Sequence, residues 1–161
     1  MVDLYVNRDQ HSFSTQVTDL DNIQNPSIHS LLSSKYHEAQ MHRLNIHAEI
    51  PDPVIHNYLT DLDLAVVLGH LMDNAIDGAR KASEGFISLA YFDEEDCQSF
   101  IIESTIAEEQ VPLSMMSTQL SHPEGGIGVN AVQDILERYP NTSFSVRSQN
   151  HKMMQILEMR P

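Results

Sequence analysis

Cations are scarce in this chain: 9 lysines and arginines face 23 aspartates and glutamates across 161 residues, a formal charge of −14. That balance argues against a protein that works by neutralising nucleic-acid phosphates, so neither DNA nor RNA is an expected partner. Cysteine is scarcer still. Cys97 stands alone, which excludes an internal disulfide and any multi-cysteine zinc site and fits a reducing, cytoplasmic setting. No apolar run approaches the roughly 18 residues that span a bilayer. The N-terminus, with Asp3 and Arg8 among a few apolar residues, lacks the pattern of a signal peptide. Any membrane anchor of a parent protein is therefore expected in a segment absent here. Internal repeats and low-complexity tracts are missing too, and the length suits one domain with a single substantial core.

What is present centres on Leu64 to Ala79, LAVVLGHLMDNAIDGA. At 100° per residue, Leu64, Leu68, Leu71, Ala75 and Ala79 form one apolar stripe, and His70, Asn74 and Asp77 fall together on the opposite side. One face suits packing on a sheet. The other carries an imidazole, a carboxamide and a carboxylate one after another on a rigid support, a row able to hold a hydrated cation.

Around this helix the remaining elements follow from period and punctuation. Residues 1–24 mix polar and scattered apolar residues without a period and read as an arm, so the domain is expected to begin at residue 25. Asn25-Pro26 is a helix start, with Asn as cap and Pro in the first turn, and the helix should run to about Arg43. On it Ile28, Leu31, Leu32, Tyr36 and Ala39 keep the apolar period, while His29, Lys35, His37 and Glu38 stay wet. Leu44 to Ile50 alternates as a half-buried strand that Pro51 and Pro53 end. Thr60 caps the central helix with Asp63 at its third position. Phe86–Phe92 and Gln98–Ser104 form a hairpin about an acidic turn. Residues 105–125 have no period and are long enough to suggest a ligand-covering lid. Gly125-Gly126-Ile127-Gly128 then opens a helix with Val129, Val132, Ile135, Leu136 and Tyr139 inward, and Ser143–Arg147 with Lys152–Met159 closes the chain as a second hairpin. The predicted fold is a two-layer α/β sandwich, a mixed and mostly antiparallel sheet with helices on one face. Spacings of five turn His37, His42 and His47 away from one another, so solvated histidines are expected rather than a metal site.

LGHLMDNAIDGA resembles the N-box of the GHKL ATP-binding fold, and is nearest the peptide-sensing histidine kinases, whose usual form is LGNLLDNAIEA. GGIGVNAVQDILERY is similar to that branch's glycine box, GIGLKNV followed by a helix. NPSIHSLLSSKYHEAQ resembles the segment leading into the ATP domain, NPxLxxLLxxKxxxAxxxxI. Two boxes in the right order, about fifty residues apart, are more specific than either alone.

The resemblance implies ATP and Mg²⁺ as ligands. Asn74 is implied as the Mg²⁺ ligand, a role its hard carboxamide oxygen suits, and Asp77 as a residue facing the nucleotide. Ser104, in ESTI, falls where the family reads the adenine, although the DxGxG box itself has no counterpart. Gly126, Ile127, Gly128 and Val129 are implied to cradle phosphate with free backbone amides at a helix start. His70 stands where related ATPases carry a water-activating glutamate; a neutral imidazole can orient a water, but phosphotransfer to histidine needs no such base. The branch's lid lysine is replaced by Gln119 or lost, and the lysine after the glycine box is Asn130. The arm would be a remnant of the dimerisation region. Its RHD-like acceptor sequence is missing, and His11 reads as an ordinary exposed histidine.

Two readings stay open at this level. One is the catalytic domain of a two-component kinase, positioning Mg·ATP for transfer to a histidine outside this fragment. Its partners would be that phospho-acceptor domain, a response regulator downstream and a second kinase chain in a homodimer. The other is a degenerate domain that binds nucleotide weakly or not at all and regulates through protein contacts.

Overall fold

A computed structural model describes residues 19–111 and 128–161. The elements are α1 (Pro26–Met41), β1 (Asn45–Glu49), α2 (Asp61–Lys81), β2 (Phe86–Glu94), β3 (Cys97–Thr105), α3 (Gly128–Glu137), β4 (Thr142–Gln149) and β5 (Lys152–Met159). The five strands lie in the order β1-β2-β3-β5-β4. Only the β1–β2 pair is parallel; β2–β3, β3–β5 and β4–β5 are antiparallel. This is the expected mixed, mostly antiparallel sheet.

Alternation decides which face is covered. In register, Ala48, Leu89 and Ile102 line up across three strands, as do Tyr91, Phe100 and Leu157. These side chains are buried in one core with Ile28 and Leu32 of α1, the α2 stripe, and Val132 and Ile135 of α3. The three α-helices among the described residues therefore pack on one face of the sheet. The five predicted stripe residues of α2 are each at most 1% exposed. Among the described residues no helix is long and apolar enough to cross a membrane.

The packed unit also takes in residues ahead of Asn25. Leu20 and Ile23 are 2% and 4% exposed, Asp19 Oδ2 accepts from Ile50 N at 3.1 Å, and Asn22 Nδ2 donates to Ile50 O at 2.6 Å. These two side chains satisfy both backbone groups of Ile50 just past the end of β1. Side-chain hydrogen bonds also tie the helix starts together. Asn25 caps α1 through Oδ1, accepting from Ser27 N and Ile28 N, while its Nδ2 donates to Asp61 at the head of α2. Lys35, expected to stay wet, instead bridges Asp73 of α2 at 2.6 Å and Glu38 at 2.9 Å. Burial alone would lower its pKa, but the hydrogen bonds it donates to those carboxylates, with their charge, raise it on balance.

The far end of α3 is clamped to the near end of α2. Asp63, only 8% exposed, accepts from Tyr139 Oη at 2.6 Å and from Arg138 at 2.7 Å. The Tyr139 hydrogen bond, opposed by desolvation and assisted by Thr60 and Arg138, holds this carboxyl below the ordinary carboxylate range. A depressed folded-state pKa gives stability that is complete above the unfolded value near about 3.9 and is lost as pH falls through the folded one. Tyr139→Phe is thus expected to cost about 1–2 kcal/mol near neutral pH. That cost should shrink in acid, once the carboxyl is protonated in both proteins. Urea denaturation at about pH 7 and about pH 3 measures the difference.

Candidate functional site

The site is built where α2 overhangs the β5 side of the sheet. A helix is about 10 Å wide and strands are about 4.8 Å apart, so a helix seated over β2 and β3 leaves one flank above the next strand. His70, Asn74 and Asp77 lie on that flank and are half-buried. They do not face away from the sheet, as the simple two-sided reading of the helix predicts.

Asn74 Nδ2 donates to Gln155 Oε1 at 3.3 Å, and Gln155 Nε2 donates to the carbonyl of Leu71 at 3.1 Å. Gln155 is 1% exposed at the middle of β5 and pairs with Ile102 of β3. Two residues along β3 from Ile102, on the same inner face, is Ser104. Its hydroxyl is fully buried and has no hydrogen-bond partner among the described residues. Gly78, one turn beyond Asn74, lets the end of β3 come close: a Cβ there would lie 3.0 Å from Ile106 Cγ2, 3.3 Å from Thr105 O and 3.9 Å from Ser104 Oγ. Asn74, Gln155, Gly78 and Ser104 thus form one strip along the junction of α2 with β3 and β5.

An unpartnered buried hydroxyl costs about 1–3 kcal/mol, and a ligand group could satisfy it. With Ser104 beside the base, as the resemblance implies, Ser104→Ala is expected to move two measurements in opposite directions. Thermal stability of the free protein should hold or rise, and nucleotide affinity should fall by about 3- to 10-fold, as for one lost hydrogen bond. Calorimetric unfolding and a nucleotide titration on the same variant check both.

Other expected site residues divide between described and undescribed parts of the chain. The His70 side chain makes no hydrogen bond to a described residue and sits one turn before Asn74. Asp77 has interactions of its own. Gly126 and Ile127 lie outside the described residues, as does most of the predicted lid. Gly128 opens α3, and Val129 follows within that helix. The first part of the predicted lid is fixed to the β4–β5 turn. Ile106 N bonds His151 O, His151 N bonds Glu109 O, and Val111 N bonds Ser148 Oγ. Ile106 and Val111 are buried against Met153 in a small second core. Among the described residues no group of three metal-ligating side chains is assembled, and His37, His42 and His47 are exposed.

Gln155 is the residue that sequence reasoning passed over. Its signal was there: a polar side chain at an inner position of β5 between Met153 and Leu157, where the alternation calls for an apolar one.

Solved structures share this fold. The catalytic domain of the histidine kinase ThkA matches with a TM-score of 0.67 at 13% identity, covering 85% of this chain and 91% of that one. The histidine kinase AdeS of Acinetobacter baumannii matches at 0.61 and 16% identity, covering 83% and 62%. ThkA in complex with the response regulator TrrA matches at 0.64 and 14% identity, covering 85% and 40%. The fold is that of histidine kinase catalytic domains. A family model of the GHKL domain matches residues 59–160, and the chain belongs to that family. No curated protein matches it.

Proposed function

We propose that this chain is the ATP-binding catalytic domain of a two-component sensor histidine kinase. Nucleotide would sit on the strip beside α2, with Ser104 meeting the base, Asp77 facing the nucleotide, Asn74 holding Mg²⁺ and the amides of Gly126, Ile127, Gly128 and Val129 meeting the phosphates. The observation that carries this reading is the buried, unpartnered Ser104 hydroxyl on the same strip as Asn74. The length of α3 agrees with it. Gly128 lies ten residues before Arg138, about 15 Å of helix, the rise that separates Asp63 from Asp73 beside Asn74.

Bound Mg²⁺ would supply charge neutralisation at the phosphates. The chain's own share is positioning: Asn74 offers a carboxamide oxygen, and a helix start offers N–H donors to anionic oxygens. In the transfer, the bond from the γ-phosphorus to the ADP oxygen breaks as one to an imidazole nitrogen forms. That imidazole would belong to a phospho-acceptor domain, in the same chain or in a homodimeric partner, and a response regulator would receive the phosphoryl group next. Phosphotransfer of this kind does not require His70 to act as a base.

Titration of the domain with Mg·ATP in a calorimeter tests the reading. Saturable binding that weakens when the metal is chelated is the expected result. No binding at millimolar ATP would overturn it, in favour of a GHKL fold acting through protein contacts alone.

A further inference from the structure

A carboxamide can present either its oxygen or its nitrogen, and which of the two Asn74 turns outward decides whether it can hold a cation at all. The hydrogen bonds around it leave a single solution. Leu71 O is a carbonyl and can only accept, so the atom of Gln155 at 3.1 Å from it must be the amide nitrogen. Gln155 Oε1 then faces Asn74, and an oxygen that only accepts requires a donor opposite it. Asn74 must place Nδ2 there, at 3.3 Å. Its Oδ1 is left on the side away from β5, with no protein donor competing for it among the described hydrogen bonds. With the two amide groups reversed, oxygen would meet oxygen at Leu71, so the arrangement does not flip as a unit.

We infer that Gln155 is a positioning residue: it sets the orientation of the Asn74 carboxamide so that the oxygen is offered to the magnesium of a bound nucleotide. The inference rests on the nucleotide reading above and adds a residue from the opposite layer of the fold. The placement suits the task. Gln155 is 1% exposed in mid-strand, so its own rotamer is held by packing, and Leu71 O anchors it to the same helix that carries Asn74. A support fixed to both the sheet and α2 keeps the angle of the ligating oxygen constant as the outer surface moves.

Gln155→Met tests this. Methionine is close in volume, fits beside Met153 and Met159, and removes both the donor and the acceptor. Leu71 O keeps its bond within the helix, so the fold should survive. Affinity is measured with excess Mg²⁺ and with EDTA, for wild type, Gln155→Met and Asn74→Ala. The expected result is that Gln155→Met lowers affinity about 10- to 100-fold in Mg²⁺, as outer partners of metal ligands do, and changes it little in EDTA. Equal losses in the two conditions would mark Gln155 as merely structural and overturn the inference. So would an unchanged affinity in Gln155→Met where Asn74→Ala loses its metal dependence; that outcome leaves the nucleotide reading standing. No binding by the wild type sinks the nucleotide reading and the inference together. Should Gln155→Met not fold, the wild-type side-chain amide of Asn74 decides the matter by nitrogen NMR, assigned through its loss in Asn74→Asp. Protons protected from solvent exchange support the inference, and protons exchanging as a free amide does overturn it.

Discussion

Replacing Asn74 by alanine should remove magnesium-dependent nucleotide binding, with a loss of at least about 100-fold in Mg·ATP affinity. The role is the one proposed above for Asn74: its carboxamide oxygen suits a hard ion better than the nitrogen of His70 does, and with Nδ2 turned to Gln155 that oxygen accepts none of the described hydrogen bonds. Altering outer partners of a metal ligand already costs about 10- to 100-fold, so removing the ligand itself should cost no less. The fold should tolerate the change, because the side chain is only half-buried and alanine is a better helix former than asparagine. A titration of wild type and Asn74→Ala with Mg·ATP, alongside circular dichroism of both, reads the result. Unchanged affinity in a folded variant would remove Asn74 from the site.

The largest effect on stability is expected from Phe100→Ala. Phe100 is completely buried and packs edge-on against Tyr91, ring centres 5.3 Å apart at 89°. The two residues are direct cross-strand partners, and Leu157 flanks Phe100 on β5. Removing a buried phenyl ring leaves a cavity and costs about 3–5 kcal/mol. At about 2–4 °C per kcal/mol for a domain of this size, the melting temperature should fall by about 10 °C. The same substitution at Phe92, on the opposite and half-exposed face of the sheet, should cost much less. Thermal melts of the two variants therefore test which face carries the core. Equal losses would mean that the sheet is covered on both faces.

Residues whose roles depend on local spacing were legible directly. The stripe on α2, the Asn25 and Thr60 caps and the alternation in β1, β2, β3 and β5 follow from the 3.6-residue and two-residue periods of backbones whose apolar face must be buried. The caps appear as expected: Asn25 accepts from Ser27 N and Ile28 N, and Thr60 from Asp63 N. Element limits shifted by a residue or two, with α1 ending at Met41 instead of Arg43.

Long-range partnerships were not legible. Lys35 reads as a solvated lysine until α2 brings Asp73 beside it, and Asp63 reads as a first-turn carboxylate until Arg138 and Tyr139, just past the end of α3 and some 75 residues away, arrive beside it. The segment from Asp19 to Gln24 has no period of its own. Its order comes from Ile50 and Val54, with which it exchanges hydrogen bonds.

By itself the sequence determined the elements, the inward faces and the family likeness, and it singled out Asn74 and Ser104 as candidates, because each is written in neighbouring residues or in a short motif. Tertiary structure alone decided that the polar row of α2 overhangs β5, that Gln155 meets Asn74, and that the Ser104 hydroxyl is buried without a partner among the described residues. Those facts depend on which strands lie beneath the helix, a choice made by the packing of the whole chain.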